Sequence, residues 1–200
     1  MSTSVKEKWI TVIQHELGHW FMSRSVGFST GNLKVDIDSE KCLGGSCDCF
    51  PVLDISSLDK FREYLERRTA VLYAGTMSEL LFWTPRKGIS LSDRSEHLLS
   101  KGSASDDGVK AFELEILLRN IRFSGSLSSH LEIEQRQEIR NDIWAKYAPN
   151  IEKQKDDIEW LAQHFYAEKQ ESSNAIYKTT EEIVNLLPSR NSASRDTGEI

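Results

Sequence analysis

Five residues near the start of the chain, His15-Glu16-Leu17-Gly18-His19, constrain it more than any others. They lie in residues 4 to 25, where Trp9, Ile10, Val12, Ile13, Leu17, Trp20, Phe21 and Met22 recur at helical spacing and predict a strongly amphipathic helix. Gly27 stands where a C-terminal stop belongs. A helix advances about 3.6 residues per turn, so His15 and His19 project from one face and can grip one metal ion. Two imidazoles one turn apart with a glutamate between them form the H-E-x-x-H pattern of zinc hydrolases. Zinc lowers the pKa of its water to roughly 7. Glu16 can then take that proton and hand it to a leaving amine. The expectation is Zn2+ held by His15 and His19, with Glu16 as the catalytic base for peptide hydrolysis. Gly18 costs a helix about 1 kcal/mol against Ala, which implies a close approach to the backbone there. The bland alternative is two surface histidines one turn apart.

Catalytic zinc usually takes three protein ligands. Residue 25 is Ser, so the metzincin pattern, with its third histidine six residues on, is excluded. Glu79, Asp106 and Asp107 are the carboxylate candidates, and spacing does not choose among them. His97, His130 and His164 have no partner at metal-ligand spacing and read as surface or helix-packing residues. Cys42, Cys47 and Cys49 lie close together. A structural metal site and a redox pair are both open, but with no fourth ligand nearby the first expectation is small apolar residues in and beside a strand.

The rest of the chain reads as one mainly α (α+β) domain, residues 1 to 187, with a small β-hairpin or sheet. Residues 32 to 37 alternate apolar and polar, and 42 to 51 form a second strand whose Gly44-Gly45 pair suits a sheet edge. A helix is expected from Leu58 to Trp83, ended by Pro85. Residues 86 to 104 read as a loop with at most a short helix. Ser105-Asp106-Asp107 looks like a helix start, and that helix runs to about Phe123. Further helices are expected at about 132–146, 150–169 and 172–187, with Pro149 interrupting the first two and a polar, disordered tail over 188–200.

The 200 residues carry a formal net charge of −6, which argues against a nucleic-acid surface. No apolar run of about 18 residues occurs, and the first residues lack the apolar core of a signal peptide. No membrane association is expected, and the cytoplasm is the default address, consistent with an odd cysteine count.

Several segments, in order, resemble the peptidase domain of the FtsH-type AAA+ zinc proteases, over roughly residues 9 to 170. His15 to His19 matches the family's H-E-A-G-H, with Leu17 in place of Ala. Leu43-Gly44 falls where the family has a Leu-Gly pair on an edge strand. Residues Ala74 to Phe82 resemble G-G-R-A-A-E-E-L-I-F. Residues Ala104 to Ala111 resemble G-A-S-N-D-x-x-x-A-T, and Ile158 to Ala162 echo L-E-x-L-A. The resemblance implies a zincin-like helical peptidase domain. It implies Asp107 as third zinc ligand and Leu43, Gly44 and Gly45 as a substrate-binding strand. Glu79 remains the alternative ligand, or a residue that orients one of the histidines. Thr76 stands in place of the family's Arg and Phe112 in place of its Thr.

No G-x-x-x-x-G-K-[ST] phosphate loop is present, so ATP-driven unfolding is not expected of this chain. The expected partner is an unfolded or exposed polypeptide segment. A homo-oligomer is compatible with the family, although the ATPase ring that helps hold its hexamer is missing here. The functions in competition are an ATP-independent endopeptidase, a regulatory protease that cuts one specific protein, and a zinc-binding helical interaction protein without catalysis. An intact Glu16 speaks against the last, because a structural site has no use for a general base.

Overall fold

The computed structural model describes residues 5–37, 42–87, 95, 98–125, 128–169 and 175–193. Of residues 37, 42–43, 83–87, 129 and 188–193 only the backbone is described. His97 and the residues after 193, half of the expected tail, lie outside the described residues.

Helix α1, Val5–Ser25, is the central element. Every residue from Val12 to Ser23 is buried, so the helix is not the one-faced amphipath that its spacing predicts. The reason is its position: helix α2 (Leu58–Lys87), a small sheet and helix α5 (Lys155–Glu168) all pack against it, and a helix covered on all sides has no solvent face to keep polar. α1 ends as Gly27 predicts. Gly27 has a φ of 81°. Phe28 N–H donates to Ser23 O at 2.8 Å and Gly27 N–H to Arg24 O at 3.2 Å, the paired bonds of a Schellman motif.

The hairpin also forms. Strand β1 (Ser29–Ile37) pairs antiparallel with β2 (Cys42–Phe50), with Val35 opposite Gly45 and Leu33 opposite Cys47. A third strand, β3 (Ala175–Lys178), pairs on the other side of β1, giving the order β2-β1-β3. The glycine-bearing β2 is therefore an edge strand, as its composition predicts. β3 corrects the expectation of a helix over 172–187. Among the described residues of that range only those from Thr180 on are helical (α6, Thr180–Ala193), because Val35 and Leu33 of β1 offer a ladder to Ile176 and Lys178 that local periodicity cannot reveal.

Two prolines do not act as expected. α2 runs through Pro85 to Lys87, and helix α4 (Ser129–Lys153) contains Pro149. A proline removes one backbone bond and crowds the turn before it. Both lie near the C-terminal ends of their helices, which continue past them despite that cost, and the break between α4 and α5 falls at Gln154 instead. α6 likewise passes through Pro188, so residues 188–193 are helical where a disordered tail is expected. Helix α3 (Ser105–Arg122) matches its predicted bounds, and residues 98–101 form a short helical turn ahead of it.

The elements share a core. Ile13, Leu17, Trp20 and Met22 of α1 meet Tyr73 of α2, Leu33 and Val35 of β1, Ile151 of α4, Phe165 of α5 and Ile183 of α6. Leu17 is fully buried, and truncating such a residue to Ala costs about 2–5 kcal/mol. The fold is thus mainly α with a small three-stranded antiparallel sheet. No helix among the described residues is long and apolar enough to cross a membrane.

Candidate metal centre

Three helices bring the site together. α1 supplies His15 and His19, α2 lies across them, and the first turn of α3 carries Asp107. The crossing of α1 and α2 is close because Gly18 has no side chain. A Cβ there would collide with the Ala74 carbonyl and lie 2.8 Å from Ser78 Cβ. The backbone approach that Gly18 implies is therefore the neighbouring helix. Ser78 Oγ–H donates to the Gln14 carbonyl at 2.8 Å and ties the two helices one turn further on.

At this crossing each imidazole is held by its Nδ1. His19 Nδ1 lies 2.7 Å from the Val71 carbonyl oxygen. A carbonyl only accepts, so this nitrogen carries the hydrogen. His15 Nδ1 lies 2.7 Å from Glu79 Oε1, which also accepts a bond from Ser103 Oγ–H at 2.6 Å. Gly75 clears the space for the His15 ring, which a Cβ at that position would strike. Both Nε2 atoms are thereby turned to one point. They are 3.0 Å apart, and Asp107 Oδ2 lies 3.3 Å from that of His15 and 3.1 Å from that of His19.

These separations test whether zinc fits. Zinc–nitrogen and zinc–oxygen bonds of about 2.0–2.1 Å at tetrahedral angles hold ligand atoms about 3.3 Å apart. The three donor atoms stand at nearly that spacing. With each Nδ1 carrying its hydrogen, the neutral rings present two lone pairs to a carboxylate oxygen. Three acceptors that close repel one another unless a cation lies among them. The mixed nitrogen and oxygen set suits zinc better than calcium or magnesium, which prefer oxygen. Among the described residues, His15, His19 and Asp107 are the only group of three such side chains that could hold a metal ion.

The three side chains also shift one another's protonation. Burial opposes a charge on His15, but the Asp107 and Glu79 carboxylates at its two nitrogens outweigh it and push its pKa up to about 10. Burial likewise opposes charge on His19, and Asp107 overcomes it, raising the ring's pKa. Burial acts on Asp107 in the other direction, yet the two imidazoles hold its carboxyl well below the usual carboxylate range.

Glu16 is 5 % exposed. Burial raises its pKa, partly countered by His19 and His15. Its side chain lies under β2, where a Cβ on Gly45 would come within 2.7 Å of Glu16 Cγ. β2 can cross the glutamate only because residue 45 is glycine. The other sequence-predicted residues divide clearly. Glu79 faces the far nitrogen of His15 and not the point where the three donors meet. Asp106 is exposed and takes no part. Gly45 stands on edge strand β2 beside Glu16, Gly44 next to it faces open space, and the Leu43 side chain lies outside the described residues. His130 and His164 pair instead with Glu134 and Glu168, one turn along their own helices.

Val71, Gly75 and Ser103 are the site residues that the motif reading does not identify. Gly75 alone leaves a trace in the sequence, as a glycine in mid-helix where Ala would be about 1 kcal/mol better. No family model matches the chain, and no curated protein is similar to it.

Proposed function

We propose that the chain is a zinc-dependent endopeptidase. The observation that carries this reading is the convergence of His15 Nε2, His19 Nε2 and Asp107 Oδ2 at 3.0–3.3 Å, with Glu16 beside them. Zinc, when bound, polarises a peptide carbonyl and acidifies a water to a pKa of roughly 7.

The chain's own residues do the rest. Glu79 and the Val71 carbonyl fix the two rings, so that neither must reorganise on binding. Glu16 accepts a proton from the attacking water and passes it to the leaving nitrogen. Its burial, which raises its pKa, makes it a better base in a site from which β2 excludes water on one side. A structural zinc site has no use for such a base, which supports catalysis over a purely structural role.

An extended polypeptide suits β2 as substrate. The strand pairs on one edge with β1, and main-chain bonds along its other edge would accept many sequences. Gly44, Gly45 and Leu43 would run along it towards Glu16. Unfolded or exposed segments can add a strand in this way without prior unfolding by an ATPase. The free thiols of Cys47 and Cys49 suit a reducing compartment such as the cytoplasm.

The experiment is hydrolysis of casein by zinc-loaded protein, compared with Glu16→Gln and with chelator-treated protein. Cleavage by the wild type alone supports the reading. Absence of cleavage by a zinc-loaded, folded wild type contradicts it.

A further inference from the structure

Cys47 and Cys49 lie two residues apart on β2, so strand alternation turns both side chains to one face. That face is the one packed on the core. Their sulfurs are 3.8 Å apart, close to van der Waals contact, and Cys49 Sγ lies 4.0 Å from the His19 carbonyl oxygen. Both residues are half-buried and keep part of their surface exposed to solvent.

Among the described residues, which do not include the Cys42 side chain, a structural metal does not account for the pair. Among the described residues no third His, Cys, Asp or Glu joins the two sulfurs in a group that could hold a metal ion, and zinc held structurally wants four ligands.

The ladder between β1 and β2 is irregular at this place. β1 spends three residue steps between Thr30 and Leu33 where β2 spends two between Cys49 and Cys47. Asp48 therefore has no Cα partner in the ladder, and its carboxylate accepts the Asn32 N–H at 3.3 Å instead. The extra residue, and with it the bend of a β-bulge, belongs to β1. What it does to β2 is to leave Asp48, the residue between the two cysteines, outside the regular ladder, so that pairing does not fix β2 at the point where a bond between positions i and i+2 must bend it. A disulfide holds its sulfurs about 2.05 Å apart, so closure must pull Cys47 and Cys49 together and bend β2. Gly45, which crosses Glu16, is two residues away.

We infer that Cys47 and Cys49 are a dithiol that hydrogen peroxide converts reversibly to an intrachain disulfide, bending β2 where it crosses Glu16. In the first step one thiolate attacks a peroxide oxygen; the O–O bond breaks, hydroxide leaves and is protonated to water, and a sulfenic acid forms. The second thiol then attacks that sulfur. The S–S bond forms, the S–O bond breaks, and a second water leaves with the thiol proton. The two sulfurs together lose two electrons, and the peroxide is reduced to two waters.

The test uses the full chain, reduced and then treated with a small excess of hydrogen peroxide, alkylated and digested. The expected result is a peptide in which Cys47 and Cys49 resist alkylation and are joined within one chain, while Cys42 is alkylated, with dithiothreitol reversing the change. Hydrogen exchange of the β2 amides should change several-fold between the two states, and α4 should not change. Cys42→Ser should keep both effects, whereas Cys47→Ser and Cys49→Ser should each abolish them. Alkylation of both thiols after peroxide, a disulfide through Cys42 or between chains, or unchanged exchange in β2 would each overturn the inference. None of these readouts involves peptide hydrolysis, so the outcome is independent of the peptidase reading.

Discussion

Glu79 accepts a hydrogen bond from His15 Nδ1 at 2.7 Å, which turns the opposite nitrogen of the ring towards His19 and Asp107. This assigns the three acidic candidates different work. Asp107→Asn is expected to reduce zinc affinity most, because it removes a donor atom from the cluster. Glu79→Gln should keep the metal with affinity lowered about 10–100-fold, the usual effect of losing a group that orients a ligand. Asp106→Asn should change little. Competition against a zinc chelator of known affinity ranks the three. A Glu79→Gln protein that loses zinc while Asp107→Asn keeps it would reverse the assignment.

Glu16→Gln should retain zinc and the fold yet lose hydrolysis by roughly 10²–10⁴-fold, because the amide is nearly isosteric but is not a base. Circular dichroism, zinc analysis and peptide cleavage on the same sample check the three parts. Turnover equal to that of the wild type would remove Glu16 from the mechanism.

Gly75→Ala places a methyl group against the His15 ring. The ring must move, and the expected outcome is zinc affinity reduced on the order of tenfold or more, with a lower Tm for the metal-free protein. Tm alone would also fall for a simple packing defect, so the zinc measurement decides.

The metal-free protein should also respond to pH in a defined direction. His15 has its pKa raised from 6.5 to about 10 by folding. A group that binds its proton more tightly when folded stabilises the fold fully below the unfolded value. That contribution is then lost as pH rises through the folded value. Tm of the metal-free protein is expected to fall between pH 6.5 and about 10, and Asp107→Asn should flatten the dependence, since Asp107 is a main cause of the shift. Bound zinc should remove it, because the rings then hold a metal in place of protons. A metal-free Tm that rises over this interval would contradict the electrostatic picture.

The readability of this chain divides along the range of the interactions involved. His15, Glu16 and His19 were legible because one helical turn fixes their relation, and Gly27 because a stop signal is local. The hairpin and the edge position of β2 followed from alternation and from Gly44-Gly45. β3 was hidden because four residues, Ala175 to Lys178, become a strand only through β1, more than a hundred residues earlier. Pro149 misled because Ile151 beyond it is buried in the core, which offsets the proline's local cost, and Pro85 stands only two residues before the end of α2. The support of the site was least visible. The Val71 carbonyl is a backbone group that any residue supplies, and Ser103 reaches Glu79 only because α2 and α3 meet. The even burial of α1 likewise reflects its neighbours and not its own periodicity.

The most direct measurement is the zinc content of the purified protein after dialysis against a weak chelator, compared with His15→Ala and His19→Ala. About one zinc per chain in the wild type and almost none in either variant is the expected result. A wild-type protein that contains no divalent metal and takes up none when zinc is supplied would contradict the account at its centre.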